Sequence, residues 1–268
     1  MKVAPQFPGD QRLDELARRL RSLHVPGDPL VLPNVWDVAS AQLVEAAGFP
    51  VVATSSSAIA ATIGARDADS MGSVVALGVV RRIAAAVTTP VSADLESGYQ
   101  LAPSELIRGL LEAGAVGLNL EDSDHHGHSE RVAVGVQAAY VAGLRSAATK
   151  AGVPVLINAR LDVWLQGDAD PALRLVEGVS RARAYLEAGA DCVFPIGLRD
   201  RDLIRAFVDQ VAGPVNLLLE DGGPTLSEMR ALGVARASLG SGLHRAAMRE
   251  ATSYLQRLRW PAPGTGGA

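Results

Sequence analysis

The stretch E-A-G-A-V-G-L-N-L-E, residues 112–121, contains the pattern that decides the fold. Its first part ends a helical segment at Gly114, because glycine takes the left-handed conformation that closes helices at little cost. Its second part, from Val116, is an apolar run with the length of a buried strand. A helix, a glycine and a strand therefore follow one another within ten residues.

The same succession recurs along the chain. A helix ending E-A-A-G at 45–48 precedes V-V-A-T-S, E-A-G-A at 187–190 precedes D-C-V-F-P, and A-L-G-V at 231–234 precedes A-R-A-S-L-G. Other strands begin at a proline, namely Pro90, Pro154 and Pro214. Runs that are apolar on both faces are typical of parallel strands covered by helices.

Eight such units in one chain predict an α/β fold, a single-domain (β/α)8 TIM-type barrel. The predicted strands are residues 30–34, 51–55, 91–95, 116–121, 155–160, 192–195, 215–219 and 236–239. A doubly wound sheet is the alternative, but the chain lacks the loop G-x-G-x-x-G after its first strand. The predicted organisation is an N-terminal helix and lead-in at 1–28, the barrel at 29–241, a C-terminal helix at 242–260 and a disordered tail at 261–268.

Composition limits the class of protein. With 48% hydrophobic and 20% charged residues, the 268-residue chain has the composition of a globular protein with a large core. A net charge of −4 and the lack of a basic patch argue against a nucleic-acid partner. The single cysteine, Cys192, favours a reducing compartment, and no segment has the character of a signal peptide or membrane span. We therefore expect a cytoplasmic protein with no membrane partner.

Polar residues follow the predicted strands at their carboxyl ends, where barrel enzymes place their reactive groups. The stretch P-V-S-A-D-L-E-S-G-Y-Q, residues 90–100, separates Asp94 and Glu96 by two positions. In a strand both carboxylates would lie on one face. Together with Glu121 from the next unit, they could share a divalent cation with oxygen ligands.

Other strand ends carry groups that suit an anion. Arg160 offers a planar fork of N–H groups, and Ser55–Ser57 offer hydroxyl and backbone donors. Asn119, Asn216 and Trp36 are further candidates for substrate contacts. Acids for a metal and an arginine for an anion indicate a small acidic substrate chelated to Mg²⁺.

Four motifs, in this order and spacing, resemble the isocitrate lyase/phosphoenolpyruvate mutase superfamily over about residues 32–248. They are T-S-S-S-A-I-A-A-T-I-G-A-R-D (54–67), V-S-A-D-L-E-S-G-Y (91–99), G-L-N-L-E-D (117–122) and I-N-A-R-L-D (157–162). The resemblance implies a barrel that holds Mg²⁺, with Mn²⁺ as the alternative, through Asp67, Asp94, Glu96 and Glu121.

The resemblance also implies how the protein acts and assembles. Ser55, Ser56, Ser57 and Arg160 would bind the carboxylate and oxyanion groups of a substrate that reacts through an enolate-like intermediate. Members are usually dimers or tetramers that exchange a C-terminal helix, which corresponds here to Gly242–Leu258.

The chain departs from the family in the loop after the fourth strand. The motif K-x-C-G-H of the isocitrate and methylisocitrate lyases is replaced by E-D-S-D-H-H-G-H-S-E-R. The gate of the phosphonate branch is not matched either, and Ile196 stands where that branch has a histidine. His125, His126 and His128 are the remaining candidates for a general acid or base, the alternative being a polar loop that faces water.

Three residues near these motifs receive structural interpretations. Cys192 lies within a predicted strand and is interpreted as a core thiol. Asp122 is interpreted as a solubilising loop residue, and Asp162 as the cap of the next helix.

Three functions remain open. The first is an Mg²⁺-dependent lyase that cleaves a C–C bond in a small 2-hydroxy or 2-oxo di- or tricarboxylate, such as a relative of methylisocitrate, malate or oxaloacetate. The second is a P–C bond enzyme of the phosphoenolpyruvate mutase or phosphonopyruvate hydrolase type. The third is a non-catalytic barrel that binds a small acid.

Overall fold

The computed structural model describes residues 10–125, 127, 131–165 and 170–258, so the predicted tail at 261–268 lies outside this part. Short strands and longer helices alternate along it. The strands are β1 (Leu30–Leu32), β2 (Asn34–Val35), β3 (Val52–Thr54), β4 (Val91–Asp94), β5 (Gly117–Glu121), β6 (Leu156–Leu161), β7 (Cys192–Pro195), β8 (Asn216–Leu218) and β9 (Arg236–Ser238). The helices are α1 (Asp10–Ser22), α2 (Val38–Ala46), α3 (Ser56–Thr62), α4 (Ser73–Ala86), α5 (Pro103–Glu112), α6 (Val134–Ala151), α7 (Pro171–Glu187), α8 (Arg201–Val211), α9 (Leu226–Ala231) and α10 (Gly242–Arg257).

The strands close into a parallel barrel. Six pair in the order β2-β3-β4-β5-β6-β7 and three in the order β1-β9-β8. A parallel bridge between Val193 and Val215 joins the two groups, and β1 continues into β2 across Pro33, which has no N–H to donate. Because β1 and β2 act as one strand, the predicted (β/α)8 barrel is confirmed.

Glycines end the helices where the sequence predicts it. Gly114 follows α5 with φ of +83°, and Gly189 follows α7 with φ of +106°. These are left-handed values, which residues with a Cβ adopt at a cost in free energy. The strands β5 and β7 begin three residues after these glycines, at Gly117 and Cys192.

Helix α1 covers the amino-terminal end of the barrel. Leu20 is fully buried, and a Cβ on Gly117, at the start of β5, would lie 2.6 Å from Leu20 Cδ2. Arg21 of the same helix pairs with Asp191, just before β7, at 2.6 Å. With α1 packed under this end, a ligand has access from the end where the strands finish.

The core consists mostly of aliphatic side chains, in keeping with a sequence in which only 4% of residues are aromatic. Cys192 is fully buried at the start of β7, and burial raises the pKa of its thiol to about 12. Its interpretation as a core thiol is therefore confirmed. Within the part of the chain that the structure describes, no helix combines the length and apolar character needed to cross a bilayer.

Helix α10 follows β9 and contacts β2, yet none of its residues is buried. Met248, Tyr254, Leu255 and Leu258 are all exposed large apolar side chains in or just after this helix. The exchange of this helix between subunits stays a prediction.

Candidate functional site

A cavity of about 240 Å³ lies at the carboxyl ends of the strands. Seven of the predicted site residues line it: Ser55, Ser56, Ser57, Asp67, Asp94, Asn119 and Arg160. Other polar lining residues come from neighbouring strand ends and loops: Asn34, Thr54, Ser92, Glu220, Arg236, Ser238, Ser241 and Arg245. The large apolar lining residues are Phe194, Ile196, Leu218 and Leu239.

Asp94, the last residue of β4, accepts hydrogen bonds on both carboxylate oxygens. Ser56 donates to Oδ2 from its backbone N at 3.0 Å and from Oγ at 2.9 Å, and Asn119 Nδ2 donates to Oδ1 at 3.0 Å. Ser56 begins α3, and Ser55 caps this helix by accepting from Ala58 N at 3.3 Å. Of the three serines predicted to bind an anion, Ser56 therefore binds Asp94 and Ser55 caps α3, while Ser57 is exposed at the cavity.

Asp67 lies at the rim of the same cavity. Burial of its carboxyl group and the negative charge of Asp94 raise the pKa of Asp67. Among the described residues, neither acid forms an ion pair. Two neighbouring carboxylates that form no ion pair favour the binding of a cation with oxygen ligands.

Glu96 does not share the strand face of Asp94, so that prediction is wrong. The strand β4 ends at Asp94, and Glu96 takes a left-handed φ of +52°. Its buried carboxylate accepts hydrogen bonds from the backbone N of Asp69 and from Tyr99 Oη, the latter at 2.8 Å. Burial raises the pKa of Glu96 to about 7.

The left-handed backbone at Glu96 places its carboxylate in a second group of possible metal ligands, together with Asp69 and His125. One ligand atom from each of Asp69, Glu96 and His125 lies within 4.8 Å of the others. Asp69 was missed by sequence reasoning, although D-A-D at 67–69 repeats the spacing of the acids at 94 and 96. The four acids predicted as metal ligands thus divide: Asp67 and Asp94 line the cavity, Glu96 joins Asp69, and Glu121 pairs with Arg160.

Arg160, in β6, is largely buried and bound to two carboxylates. Its Nη1 lies 2.5 Å from Glu121 Oε2, and Nε and Nη2 donate to Asp162 at 2.6 and 2.9 Å. Although burial opposes it, the charges of Glu121 and Asp162 raise the pKa of Arg160, which keeps the guanidinium charged. These contacts use three of its five N–H groups, so two remain for a ligand in the cavity.

His125 connects to this ion pair. Its Nε2 contacts Glu121 Oε1, and this hydrogen bond raises the pKa of His125. Burial raises the pKa of Glu121, against the opposing effects of Arg160 and His125. His125 is half-buried and does not line the cavity, whereas His126 and His128 lie outside the described residues.

Asp122 and Asp162 are buried structural residues, so their interpretations as a surface residue and a helix cap are wrong. Asp122 accepts from Arg181 Nη1 at 2.9 Å, from Tyr185 Oη at 2.8 Å and from the backbone N of Asp162 at 2.9 Å. Helix α7 is capped by Asp170 instead. Asp122 thus fixes the end of β6, from which Arg160 reaches the cavity.

Trp36 and Asn216 lie outside the lining of the cavity. The Trp36 ring packs edge-on against His244 of α10, with ring centroids 4.8 Å apart. Asn216 is fully buried at the start of β8 and accepts from Ser238 Oγ at 3.1 Å. Asn216 therefore reaches the cavity only through Ser238, and Trp36 faces the C-terminal helix.

Acidic side chains and an arginine gather at the carboxyl end of this parallel barrel, which is where TIM-barrel enzymes place their active sites. The chain matches the model of the phosphoenolpyruvate phosphomutase family over residues 20–259, and it belongs to that family. The predicted membership of the isocitrate lyase/phosphoenolpyruvate mutase superfamily, and with it the prediction of an enzyme, is confirmed.

Individual relatives cover most of the chain. An uncharacterized protein of Mycobacterium tuberculosis is 34% identical over 82% of this chain and 80% of its own length. The 2-methylisocitrate lyase of Escherichia coli is 27% identical over 89% of this chain and 86% of its own length.

Solved structures share the fold. A candidate phosphonomutase from Burkholderia cenocepacia has a TM-score of 0.85 and 40% identity, covering 90% of this chain and 99% of its own. A phosphonopyruvate hydrolase in complex with oxalate and Mg²⁺ has a TM-score of 0.80 and 25% identity, covering 91% and 87%.

Proposed function

We propose that this enzyme is an Mg²⁺-dependent lyase that cleaves a C–C bond in a small 2-hydroxy or 2-oxo di- or tricarboxylate through an enolate-like intermediate. The observation that carries the proposal is the juxtaposition of Asp67 and Asp94 with the guanidinium of Arg160 in one cavity. Carboxylates that form no ion pair suit a metal, and a fork of free N–H groups suits a carboxylate. The similarity to 2-methylisocitrate lyase supports the choice of a C–C bond.

The donor set fits Mg²⁺. The carboxylates of Asp67 and Asp94 offer only oxygen atoms, which are the ligands that Mg²⁺ prefers, with part of its water shell retained. Glu96 and Glu121 would contribute through water, since both are bound to other groups in this structure. When bound, Mg²⁺ supplies positive charge next to the oxygen on which an enolate develops its negative charge.

Arg160 would bind and orient the substrate. Its two remaining N–H groups can hold one carboxylate in bidentate fashion, because Glu121 and Asp162 lock the guanidinium plane. This arrangement keeps the positive charge fixed before the reaction begins, which favours a transition state that gains negative charge.

His125 is the proposed general acid or base. Glu121 contacts both His125 and Arg160, so its carboxylate links the imidazole to the guanidinium. The hydrogen bond to Glu121 raises the pKa of His125. An imidazole in this position can move a proton at its second ring nitrogen. His126 and His128 belong to the same proposal on sequence grounds.

A substrate screen tests the proposal. Wild-type protein is incubated with Mg²⁺ and panels of 2-oxo, 2-hydroxy and phosphono acids, and pyruvate, oxalate and phosphate are measured as products. We expect the enzyme to release a carboxylate product from a di- or tricarboxylate. This activity should be lost when a chelator is added and in the variant Asp94→Asn. Turnover that persists with chelator would contradict the metal-dependent lyase.

A P–C bond enzyme is the second candidate, favoured by the 40% identity to the candidate phosphonomutase. In the screen it would release phosphate or convert a phosphono acid without C–C cleavage. Ile196 lines the cavity at the position where the phosphonate branch has a histidine, which counts against this candidate. A non-catalytic barrel would bind acids with Mg²⁺ and convert none.

We further propose a homodimer or homotetramer that exchanges α10. The lack of any buried residue in this helix, together with the exposed Tyr254, Leu255 and Leu258, supports burial against another subunit. Light scattering of the full chain should give a mass of two or four chains. Tyr254→Glu with Leu255→Glu should shift that mass towards one chain, and a monomeric wild-type protein would contradict the proposal.

A further inference from the structure

Arg236 is a buried arginine with no counter-ion among the described residues. It is the first residue of β9 and 2% exposed. The other buried arginine, Arg181, pairs with Asp122 at 2.9 Å. Placing a charge in the interior without a paired carboxylate destabilises the fold, so its presence requires another reason.

The guanidinium of Arg236 extends towards the substrate cavity. Its Nε donates to Ser238 Oγ at 3.1 Å, two residues further along the same strand. Ser238 and Arg236 both line the cavity, as does Ser92. The charge of Arg160 is balanced by ion pairs with Glu121 and Asp162. Arg236 is also buried at this cavity, and it forms no ion pair with any described carboxylate.

The surroundings of Arg236 are rich in unused donors. Within the described residues, Arg236 Nη1, Asn216 Nδ2 and Ser92 Oγ are buried and have no hydrogen-bond partner. Asn216 is in register with Arg236 on the neighbouring strand. An arginine and an amide nitrogen can only donate, so their natural ligand is an acceptor with negative charge.

We propose that Arg236, assisted by Ser92 and Ser238, binds a second carboxylate of the substrate at the floor of the cavity, opposite the carboxylate that Arg160 binds. This inference rests on the proposed function and adds the residue that selects for a second carboxylate: the two carboxylates of the substrate would bind different arginines. The enzyme would therefore discriminate against acids with the same reactive end and an apolar tail.

Two ligands that differ only in the second carboxylate test this inference. Malate and 2-hydroxybutyrate share a 2-hydroxy acid end, and oxalate serves as a short probe of the Arg160 end. Their affinities are measured by calorimetry with Mg²⁺ for wild type, Arg236→Met, Arg236→Lys and Arg108→Met. Arg108 of α5 is the control because it is an exposed arginine outside the lining of the cavity.

Wild type should bind malate more tightly than 2-hydroxybutyrate by about 10-fold or more, as expected for a buried charge-assisted hydrogen bond. Arg236→Met should abolish this preference and leave oxalate and 2-hydroxybutyrate affinity unchanged. Arg236→Lys should retain part of the preference, and Arg108→Met all of it.

Other results overturn the inference. If Arg236→Met still prefers malate, then Arg236 of the wild-type protein does not bind the second carboxylate and its guanidinium is only hydrated. If Arg236→Met lost affinity equally for all three ligands and unfolded at a lower urea concentration, Arg236 would be a structural residue. We expect the urea midpoint of this variant to stay the same or rise. If wild type binds oxalate without preferring malate, the inference fails and the proposed function stands; if it binds none of the three, both fail.

Discussion

Asn119 Nδ2 donates to Asp94 Oδ1 at 3.0 Å, and Asn119 Oδ1 accepts from Asn158 Nδ2 at 2.8 Å. The three residues are in register across β4, β5 and β6, so the relationship crosses three neighbouring strands. Since Ser56 occupies the other oxygen of Asp94, the carboxylate cannot rotate without losing several hydrogen bonds. A ligand with a fixed orientation binds a metal without further ordering of the protein.

Asp94→Asn should abolish metal-dependent activity with little change in fold. The amide keeps the shape, but its NH₂ group would face the donors of Ser56 or Asn119, and its negative charge is lost. We expect a loss of at least about 100-fold in kcat/KM, because a bound metal contributes several kcal/mol. Turnover and Mg²⁺-induced thermal stabilisation are measured together.

The matched control for this change is Asp37→Asn. Asp37 caps α2 by accepting from Ser40 N at 2.7 Å, away from the lining of the cavity, and asparagine is an equally good cap. This variant should keep wild-type activity. Full activity of Asp94→Asn in the presence of chelator would remove Asp94 from the proposed metal site.

Arg160→Lys should weaken substrate binding although it keeps the charge. An ammonium group has three N–H donors on one atom and cannot serve Glu121, both oxygens of Asp162 and a ligand together. We expect KM to rise by about 10-fold or more and the free energy of unfolding to fall by about 1–3 kcal/mol.

The control for Arg160→Lys is Arg201→Lys, whose exposed pair with Glu228 lies on the surface. Surface pairs contribute little, so KM and stability should stay close to wild type. Equal KM values for wild type and Arg160→Lys would contradict the proposed role of Arg160 in binding the carboxylate.

His125→Gln should lower the rate if the imidazole transfers a proton. General acid–base groups contribute about 10²- to 10⁴-fold. Because the bond to Glu121 raises the pKa of His125, a rate that needs the protonated ring should fall as pH rises through that pKa. The pH–rate profile of His125→Gln should lose this limb, and the triple change with His126→Gln and His128→Gln should add little.

An unchanged rate and pH profile in the triple variant would leave a polar loop as the explanation of the three histidines. Loss of activity in the triple variant alone would move the role from His125 to His126 or His128.

The barrel could be predicted because its signals are local. A glycine such as Gly114 ends a helix through its own backbone freedom, and the strand that follows is apolar over consecutive residues. The placement of Asp94 and Arg160 follows from the same logic, since both stand at or near the carboxyl end of a strand. Position along a strand is enough to bring such residues to one end of a barrel.

The remaining parts of the site depend on contacts between distant segments. Glu96 leaves the strand because its carboxylate accepts from the loop at Asp69, 27 residues away. Asp122 is buried because Arg181 and Tyr185 come to it from α7, 59 and 63 residues further on. Nothing in the short motifs around these acids encodes such partners.

Arg236 shows a further limit of pattern reading. In A-R-A-S an arginine within an apolar run is usually assigned to the solvent-facing side, whereas here it lies inside the barrel. Closure of the sheet sets the register of Arg236 with Asn216 on β8, and the hydrogen bond from Arg236 Nε to Ser238 holds the guanidinium on this side of β9.

His24 should make the protein less stable in mild acid. His24 lies just after α1, is 8% exposed, and its Nδ1 lies 2.9 Å from the carbonyl oxygen of Leu20, so Nδ1 carries the proton. Burial lowers the pKa of His24 to about 3, and the positive charges of Arg236 and Arg21 add to this effect. In the unfolded chain the pKa of histidine is about 6.5.

Between these two values the unfolded chain binds a proton that the folded protein does not. The stabilisation by neutral His24 is therefore complete above about pH 6.5 and is lost as pH falls towards 3, by roughly 1.4 kcal/mol per pH unit. His24→Gln keeps an N–H donor for Leu20 and cannot titrate. Urea unfolding of both proteins at pH 7 and pH 5 should show that wild type loses about 2 kcal/mol more than His24→Gln. Carboxylates contribute equally to both proteins, so parallel pH dependences would mean that His24 is not held neutral by the fold.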